Sequence, residues 1–225
     1  IDLYKGDIKQ LRMYLNKYNN DILDIDLKKW GEKILISKII LNGRGGSGKD
    51  AFADYLVNNY GFKKIAFADE IYKIARKYFG MRVKDRDILQ KIGEKFREID
   101  PLVWVKYTFN EAEKYDKVVI SDCRRENEYI WGLERNYLPV RIETDLDLRI
   151  QRLIERDGVY PDLDLLENKS ETGADELDFI TVCNNGTLEE LHRQIDGIVS
   201  FDWTDYIKEI QREYQLKQMY WAILY

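Results

Sequence analysis

The chain has 225 residues, of which 44% are hydrophobic and 34% are charged, and its formal net charge is -5. This composition excludes a disordered or fibrous protein and fits one soluble globular domain with additions. The negative charge argues against binding to nucleic-acid polymers. The chain has no apolar stretch of about 18 residues and no signal-peptide pattern, so we expect no membrane contact and a cytoplasmic location.

The first predicted element is an amphipathic helix, because apolar side chains step by three and four from Ile8 to Ile25. A second apolar stripe of this kind runs from Trp203 to Leu224 near the end of the chain. We favour packing of both helices against the core. A homodimer formed through these terminal helices is the alternative interpretation.

Between these stripes, apolar runs of strand length alternate with helical patterns. The runs are continuous, as in parallel strands that are covered on both faces, and they are Ile34–Leu41, Ile65–Ala68, Val118–Ser121, Val140–Ile142 and Phe179–Cys183. The helical patterns include Ala51–Tyr60, Glu70–Phe79, Ile88–Phe96, Val103–Tyr115 and Leu188–Val199. This order predicts an α/β fold with a doubly wound parallel sheet of about five strands.

A glycine-rich segment, GRGGSGKD, follows the first predicted strand and opens a helix. The spacing G-x-x-x-x-G-K arises by chance about 0.08 times in a chain of this composition, so its place between strand and helix is what favours a phosphate-binding loop. There, backbone N–H groups converge on phosphate oxygens and Lys49 reaches the outer phosphates. Asp50 replaces the usual Ser or Thr, and its carboxylate is either a magnesium ligand or a helix-end anion.

Arginine is concentrated in the middle of the chain, where residues 76–156 hold 11 of the 15 arginines. Guanidinium groups grip phosphate in a bidentate manner, although a salt-bridged surface would explain several of them. Asp122 and Arg124 follow the third predicted strand, at the sheet edge where such folds bind ligands. Arg149, Arg152 and Arg156 share one face of a predicted helix that leads into residues 157–175, a polar stretch expected to form a lid.

Two cysteines, Cys123 and Cys183, cannot build a disulfide framework, and a single histidine, His192, leaves no plausible zinc set. We interpret both cysteines as small buried residues near strand ends. We expect His192 to lie on the surface of a helix.

The motifs in this order resemble the P-loop nucleoside monophosphate kinases, closest to the deoxynucleoside monophosphate kinases typical of tailed bacteriophages. The resemblance is carried by LNGRGGSGKD, IAFADEIYKIARKYFG, LQKIGEKFREIDPLVWV, VVISDCRRENE, KSETGADELDF and NNGTLEEL. It implies a kinase domain over residues 33–200, with acceptor-binding helices at about 69–115 and a lid at about 149–176. Residues 1–32 and 201–225 form helical additions outside the resemblance.

The resemblance also assigns expected roles to individual residues. The residues expected around ATP are Gly43, Arg44, Gly45, Gly46, Ser47, Gly48, Lys49, Asp50, Asn185, Gly186 and Thr187. The residues expected on the acceptor side are Asp69, Arg86, Arg97 and Arg124. The residues expected to act on the transferring phosphates are Lys49, Asp122, Arg124, Arg149, Arg152 and Arg156. The carboxylates of Asp50 and Asp122 are expected to serve Mg²⁺.

The activity that this resemblance implies is transfer of the γ-phosphate of ATP to a nucleoside or deoxynucleoside monophosphate. The sequence departs from the family pattern at Glu70, Arg125 and Lys169, which stand where a proline, an aromatic residue and a histidine are common. These departures affect the expected specificity for the acceptor more than the expected catalysis. Two alternatives therefore stay open, namely a kinase of another phosphorylated metabolite, such as phosphomevalonate or dephospho-coenzyme A, and a non-catalytic ATP-binding module.

Overall fold

The structure is a computed structural model that describes residues 36–161, 174 and 176–224, with side chains as far as residue 216. Five strands form one sheet in the order β2-β3-β1-β4-β5, and every pair of neighbours is parallel. The strands are β1 (Lys38–Asn42), β2 (Lys63–Ile65), β3 (Val118–Ile120), β4 (Leu138–Glu143) and β5 (Ile180–Cys183). The predicted α/β class and parallel sheet are confirmed.

Eight helices connect and follow the strands in the described part of the chain. They are α1 (Lys49–Tyr60), α2 (Asp69–Phe79), α3 (Arg86–Ile99), α4 (Val103–Ala112), α5 (Glu126–Glu134), α6 (Leu146–Asp157), α7 (Leu188–Ser200) and α8 (Thr204–Leu224). None of these described helices is long and apolar enough to cross a bilayer.

Strand β1 lies at the centre of the sheet because its side chains can be buried on both faces. Ile39, Ile40 and Leu41 have no exposed surface. Helix α1 packs beside α7, while α5 contacts both α4 and α8. The chain runs from β1 toward one edge of the sheet through α1 and from β3 toward the other edge through α5. Since crossovers between parallel strands are right-handed, these two helices are expected on opposite faces, where they cover the strand from both sides.

Strand β2 differs from its prediction, which extended it to residue 68. Pairing with β3 ends at Ile65, opposite Ile120. Beyond that point the backbone N–H groups of Phe67 and Ala68 donate to the carboxylate of Asp122. A side chain therefore takes the donors that a longer ladder would have used, and the apolar run alone does not reveal this.

Helices α2, α3 and α4 have a small core of their own, separate from the main one. Its buried members are Ile71, Ala75, Met81, Ile92 and Trp104. These helices lie within the segment expected to bind the acceptor, a role that stays a prediction.

The terminal stripes have different outcomes. Trp203, Ile207 and Ile210 are buried in the main core, which confirms the expected packing for the described start of α8. The stripe from Ile8 to Ile25 lies outside the described residues. A homodimer through the terminal helices stays a prediction.

Candidate functional site

The glycine-rich loop lies at the carboxyl end of β1 and leads directly into α1. Its glycines Gly43, Gly46 and Gly48 have φ angles of 149°, 80° and 97°, a region that other residues rarely adopt. Gly48 is the N-cap of α1 and supplies no side-chain hydrogen bond. The first N–H groups of α1 are therefore not capped by this residue, and together with the positive end of the helix they favour an anion.

Residues that follow β4 and β5 hold the loop in place through hydrogen bonds to its carbonyl oxygens. Arg149 Nε donates to the carbonyl oxygen of Gly45 at 3.0 Å. The carbonyl of Ser47 accepts hydrogen bonds from Thr144 Oγ1 at 3.0 Å and from Asn184 Nδ2 at 2.8 Å. These contacts fix the loop conformation, because they connect the carbonyl oxygens of two loop residues to residues that follow β4 and β5.

The Lys49 side chain lies along the loop. Its ammonium donates to the carbonyl of Gly43 and, at 3.0 Å, to the carbonyl of Arg44. The ammonium thus lies at the loop, where a cation would neutralise the outer phosphates of a bound nucleotide. Its role toward ATP stays a prediction.

The three arginines of α6 occupy different surroundings. Arg149 is buried against the loop, with 5% of its surface exposed. Arg152 NH2 donates to the carbonyl of Asn184 at 3.0 Å, whereas its NH1 is buried and has no hydrogen-bond partner in the part of the chain that is described. This NH1 lies 3.9 Å from where a Cβ on Gly48 would stand. Arg156 is more exposed and pairs with Asp157 at 2.7 Å.

Ser47 provides a second unsatisfied group in the loop. Its hydroxyl oxygen is buried and has no hydrogen-bond partner among the residues described. Buried polar atoms are nearly always paired, so two orphaned atoms beside an uncapped helix N-terminus indicate a place for a polar ligand.

Asp122 lies at the carboxyl end of β3 and is half-buried. Its two carboxylate oxygens accept hydrogen bonds from the N–H groups of Phe67 at 2.7 Å and Ala68 at 3.0 Å. Burial raises the pKa of this carboxyl, although these two hydrogen bonds and the nearby charge of Arg124 act in the opposite direction. Asn42 Nδ2 donates to the carbonyl of Cys123 at 2.9 Å, so this segment is tied to the residue directly before the glycine-rich loop.

Asp50 forms an ion pair with Lys64, whereas its position in the motif indicates a contact with magnesium. Its carboxylate accepts a hydrogen bond from Lys64 Nζ at 2.6 Å, and the same ammonium reaches Asp54 at 3.0 Å. The side chain of Asp50 is 80% exposed. Whether it also serves a metal stays a prediction.

The carboxylates here fit magnesium bound with a nucleotide rather than a metal cage made by the protein alone. Within the described ranges there is no group of three His, Cys, Asp or Glu side chains arranged to hold a metal. Mg²⁺ commonly takes one or two carboxylates and completes its shell with phosphate oxygens and water. Asp122 could supply one of these carboxylates. Asp50 could supply a second one if its ion pair with Lys64 were broken.

The expected acceptor-side residues lie on α2, α3 and the segment after β3. Asp69 is exposed and accepts a hydrogen bond from the N–H of Ala66 at 2.8 Å, which closes the turn into α2. Arg86 is exposed at the first position of α3. Arg97 is half-buried near the other end of α3 and contacts Glu94 at 3.3 Å. Arg124 is exposed, and its charge acts on Asp122.

The residues expected beside the adenine form the loop between β5 and α7. Asn185 accepts a hydrogen bond from the N–H of Asp145 at 2.9 Å. Thr187 is the N-cap of α7 and forms a capping box with Glu190. Gly186 lies between them, and all three of the expected residues are exposed. Their role toward a base stays a prediction.

Three residues of the site were missed by sequence reasoning. Asn184 and Thr144 hold the loop, as described above. Glu128, on α5, is 4% exposed, and its Oε2 accepts hydrogen bonds from the N–H groups of Arg124 at 2.7 Å and Arg125 at 3.1 Å. Asn184 and Thr144 directly follow apolar strands, and this position could have been used to predict that they lie at the site. The sequence gives no such indication for Glu128, which is a glutamate in a helix with other charged residues.

Two smaller expectations have mixed outcomes. His192 is half-buried rather than superficial, because its ring stacks on Tyr55 with 3.9 Å between centroids. Both cysteines are free, as expected, and Cys123 is buried while Cys183 is partly exposed.

No protein-family model matches the chain. The uncharacterized protein ORF77 of Ictalurid herpesvirus 1 (strain Auburn) is 28% identical over 178 residues, which are 76% of this chain and 72% of that protein.

Similar solved structures include a gluconokinase from Sinorhizobium meliloti 1021, at 17% identity and a TM-score of 0.49, with 82% of this chain and 99% of that chain covered. Another is shikimate kinase from Acinetobacter baumannii in complex with shikimate, at 18% identity and a TM-score of 0.46, with 77% and 96% covered.

Proposed function

We propose that this chain is an ATP-dependent kinase that transfers the γ-phosphate of ATP to the 5′-phosphate of a nucleoside or deoxynucleoside monophosphate. The observation that carries the proposal is the phosphate loop. It joins an uncapped helix N-terminus, the ammonium of Lys49 and a buried nitrogen of Arg152 that has no hydrogen-bond partner within the described ranges. Each of these groups favours an oxyanion, and together they fit the chain of phosphates in ATP.

The transfer itself needs positioning and charge neutralisation more than a strong base. An oxygen of the acceptor phosphate forms a bond to the γ-phosphorus while the bond from that phosphorus to the bridging oxygen breaks, and this oxygen leaves with ADP. In this proposal the loop N–H groups hold the donor phosphates, and Lys49 and Arg152 offset the negative charge on the transferring group.

Mg²⁺ bound with ATP would supply further charge neutralisation at the phosphates. Asp122 would hold it, directly or through water, from the end of β3. Hydrogen bonds to both of its oxygens orient this carboxylate. Asp50 is the second candidate, and it would have to exchange Lys64 for the metal.

A second acceptor class is favoured by Arg125. This residue stands where an aromatic side chain is common in the family that the sequence resembles, and its guanidinium points toward Glu94 of the acceptor side, 3.1 Å away. A guanidinium at this position adds a contact for an anionic group, so another small phosphorylated metabolite, such as phosphomevalonate or dephospho-coenzyme A, is the alternative acceptor.

The test is an ADP-release assay with Mg²⁺, ATP and a panel of monophosphates. The panel contains deoxy- and ribonucleoside monophosphates, phosphomevalonate and dephospho-coenzyme A. We expect one nucleoside monophosphate to raise ADP release at least about a hundredfold over ATP alone, which is a modest part of the acceleration usual for enzymes.

Turnover with a metabolite alone would replace the nucleotide by the alternative acceptor. ATP binding without ADP release for any member of the panel would overturn the kinase assignment and favour a non-catalytic ATP-binding module.

A further inference from the structure

Two arginines from different elements meet on one carboxylate oxygen at the acceptor side. Arg97 NH1, on α3, lies 3.3 Å from Glu94 Oε1, and Arg125 NH2, on the residue before α5, lies 3.1 Å from the same oxygen. The side chains of Arg97, Arg125 and Glu94 are 20%, 42% and 50% exposed. The cluster is thus open to solvent on the side of Glu94.

The guanidinium groups of this cluster share their nearest carboxylate oxygen, which belongs to Glu94. Glu128 also lies near Arg97, but its Oε2 is already engaged by the backbone N–H groups of Arg124 and Arg125. Burial lowers the pKa of the Arg97 guanidinium, and the positive charge of Arg125 lowers it further. Two guanidinium groups that repel each other and share one oxygen of a half-exposed side chain would be stabilised by an anion with more oxygens.

Both arginines are held in place before any anion binds. The turn that carries Arg97 is fixed by Trp104 Nε1, which donates to the carbonyl of Gly93 at 3.1 Å. A Cβ on Gly93 would stand 3.2 Å from Arg97 NH1, so the glycine makes room for the guanidinium. Arg125 is fixed at its backbone by Glu128. Such preorganisation reduces the ordering cost of binding.

We propose that Arg125 binds the phosphate monoester of the acceptor together with Arg97, and that Glu94 is a placeholder that this phosphate displaces. The inference rests on the proposed kinase function and adds the residues that select a phosphorylated acceptor. A phosphate offers three oxygens to two guanidinium forks, whereas Glu94 offers them one. Glu94 therefore competes with the acceptor.

The first test removes the placeholder charge. Glu94→Gln is compared with Glu98→Gln, since Glu98 lies on the same helix and pairs with Lys95 at 2.8 Å instead. Binding of dTMP and of inorganic phosphate is measured by calorimetry on the full chain, with a non-hydrolysable ATP analogue filling the donor loop. We expect Glu94→Gln to bind about three- to tenfold more tightly, as for loss of one competing partly exposed charge, and Glu98→Gln to match the wild type. Unchanged or weaker binding by Glu94→Gln would overturn the placeholder role.

The second test removes the proposed contact. Arg125→Phe restores the aromatic residue common in the resembling family, and Lys95→Met serves as a matched loss of one positive charge on α3. For Arg125→Phe we expect the acceptor KM to rise at least about tenfold while the KM for ATP is unchanged, because a charge-assisted bidentate contact is lost. Arg125→Lys should restore only part of the affinity, since lysine lacks the fork. An acceptor KM for Arg125→Phe equal to that of Lys95→Met would contradict the assignment.

The outcomes separate this inference from the kinase function. Normal turnover with unaltered acceptor KM in Arg125→Phe rejects only the role of Arg125. Absence of turnover with every acceptor rejects the kinase function, and the calorimetric comparison of Glu94→Gln with Glu98→Gln still decides whether the cluster binds phosphate.

Discussion

At the scale of single residues, Glu128 has the most unusual environment near the site. Burial raises the pKa of its carboxyl from the ordinary 4.5 to about 7, although the N–H group of Arg124 stabilises the charged form, and the charge of Asp122 raises the pKa further. A carboxyl with a raised pKa stabilises the folded chain fully below pH 4.5. This stabilisation is lost as the pH rises through the folded pKa of about 7.

The variant Glu128→Gln tests whether the raised pKa of Glu128 makes the stability of the fold depend on pH. Both backbone hydrogen bonds go to Oε2, so the amide oxygen of glutamine can accept them without carrying a charge. Between pH 4.5 and 7.5 we expect the wild type to lose about 2 to 3 kcal/mol of unfolding free energy relative to this variant, as measured by urea denaturation. The control is Glu134→Gln at the other end of α5, where the side chain is 63% exposed. An equal pH profile for wild type and Glu128→Gln would show that Glu128 has an ordinary pKa.

Among the elements, the glycine-rich loop and α6 lie in close contact. A Cβ on Gly46 would lie 2.7 Å from the carbonyl oxygen of Arg149, whereas a Cβ on Gly61, at the end of α1, would have no atom of the described residues within 4 Å. Both glycines have positive φ, at 80° and 71°. The two positions therefore share the backbone strain of a substitution but differ in the contact with α6.

Substitution by alanine at these two positions should separate strain from contact. Gly61→Ala should cost about 1 kcal/mol of unfolding free energy, from the left-handed backbone alone. Gly46→Ala should cost about 1 to 3 kcal/mol more, because the loop must move away from α6, and it should also weaken ATP binding. The measurements are urea denaturation and calorimetric ATP titration. Equal losses in both variants, with ATP affinity retained, would mean that the loop and α6 are not coupled.

At the scale of the whole molecule, the parallel sheet and most helices follow from the sequence. Continuous apolar runs such as that of β1 and the local Gly and Lys spacing of the loop need no knowledge of distant residues. The support of the site depends on contacts between distant parts of the chain, such as Asn184 with Ser47, which are 137 residues apart. The early end of β2 arises in the same way, because Asp122 lies 55 positions after Phe67. No local pattern encodes such pairs.

If this molecule uses its glycine-rich loop to transfer phosphate from ATP, the γ-phosphate of labelled ATP reaches the acceptor and this transfer depends on Lys49. The label is measured in the phosphorylated acceptor for the wild type, Lys49→Met and the control Lys95→Met. We predict transfer by the wild type and the control, and a loss of at least about a hundredfold in Lys49→Met with folding retained, as for removal of a group that stabilises transferring charge. Undiminished transfer by Lys49→Met would show that the glycine-rich loop does not hold the transferred phosphate of ATP.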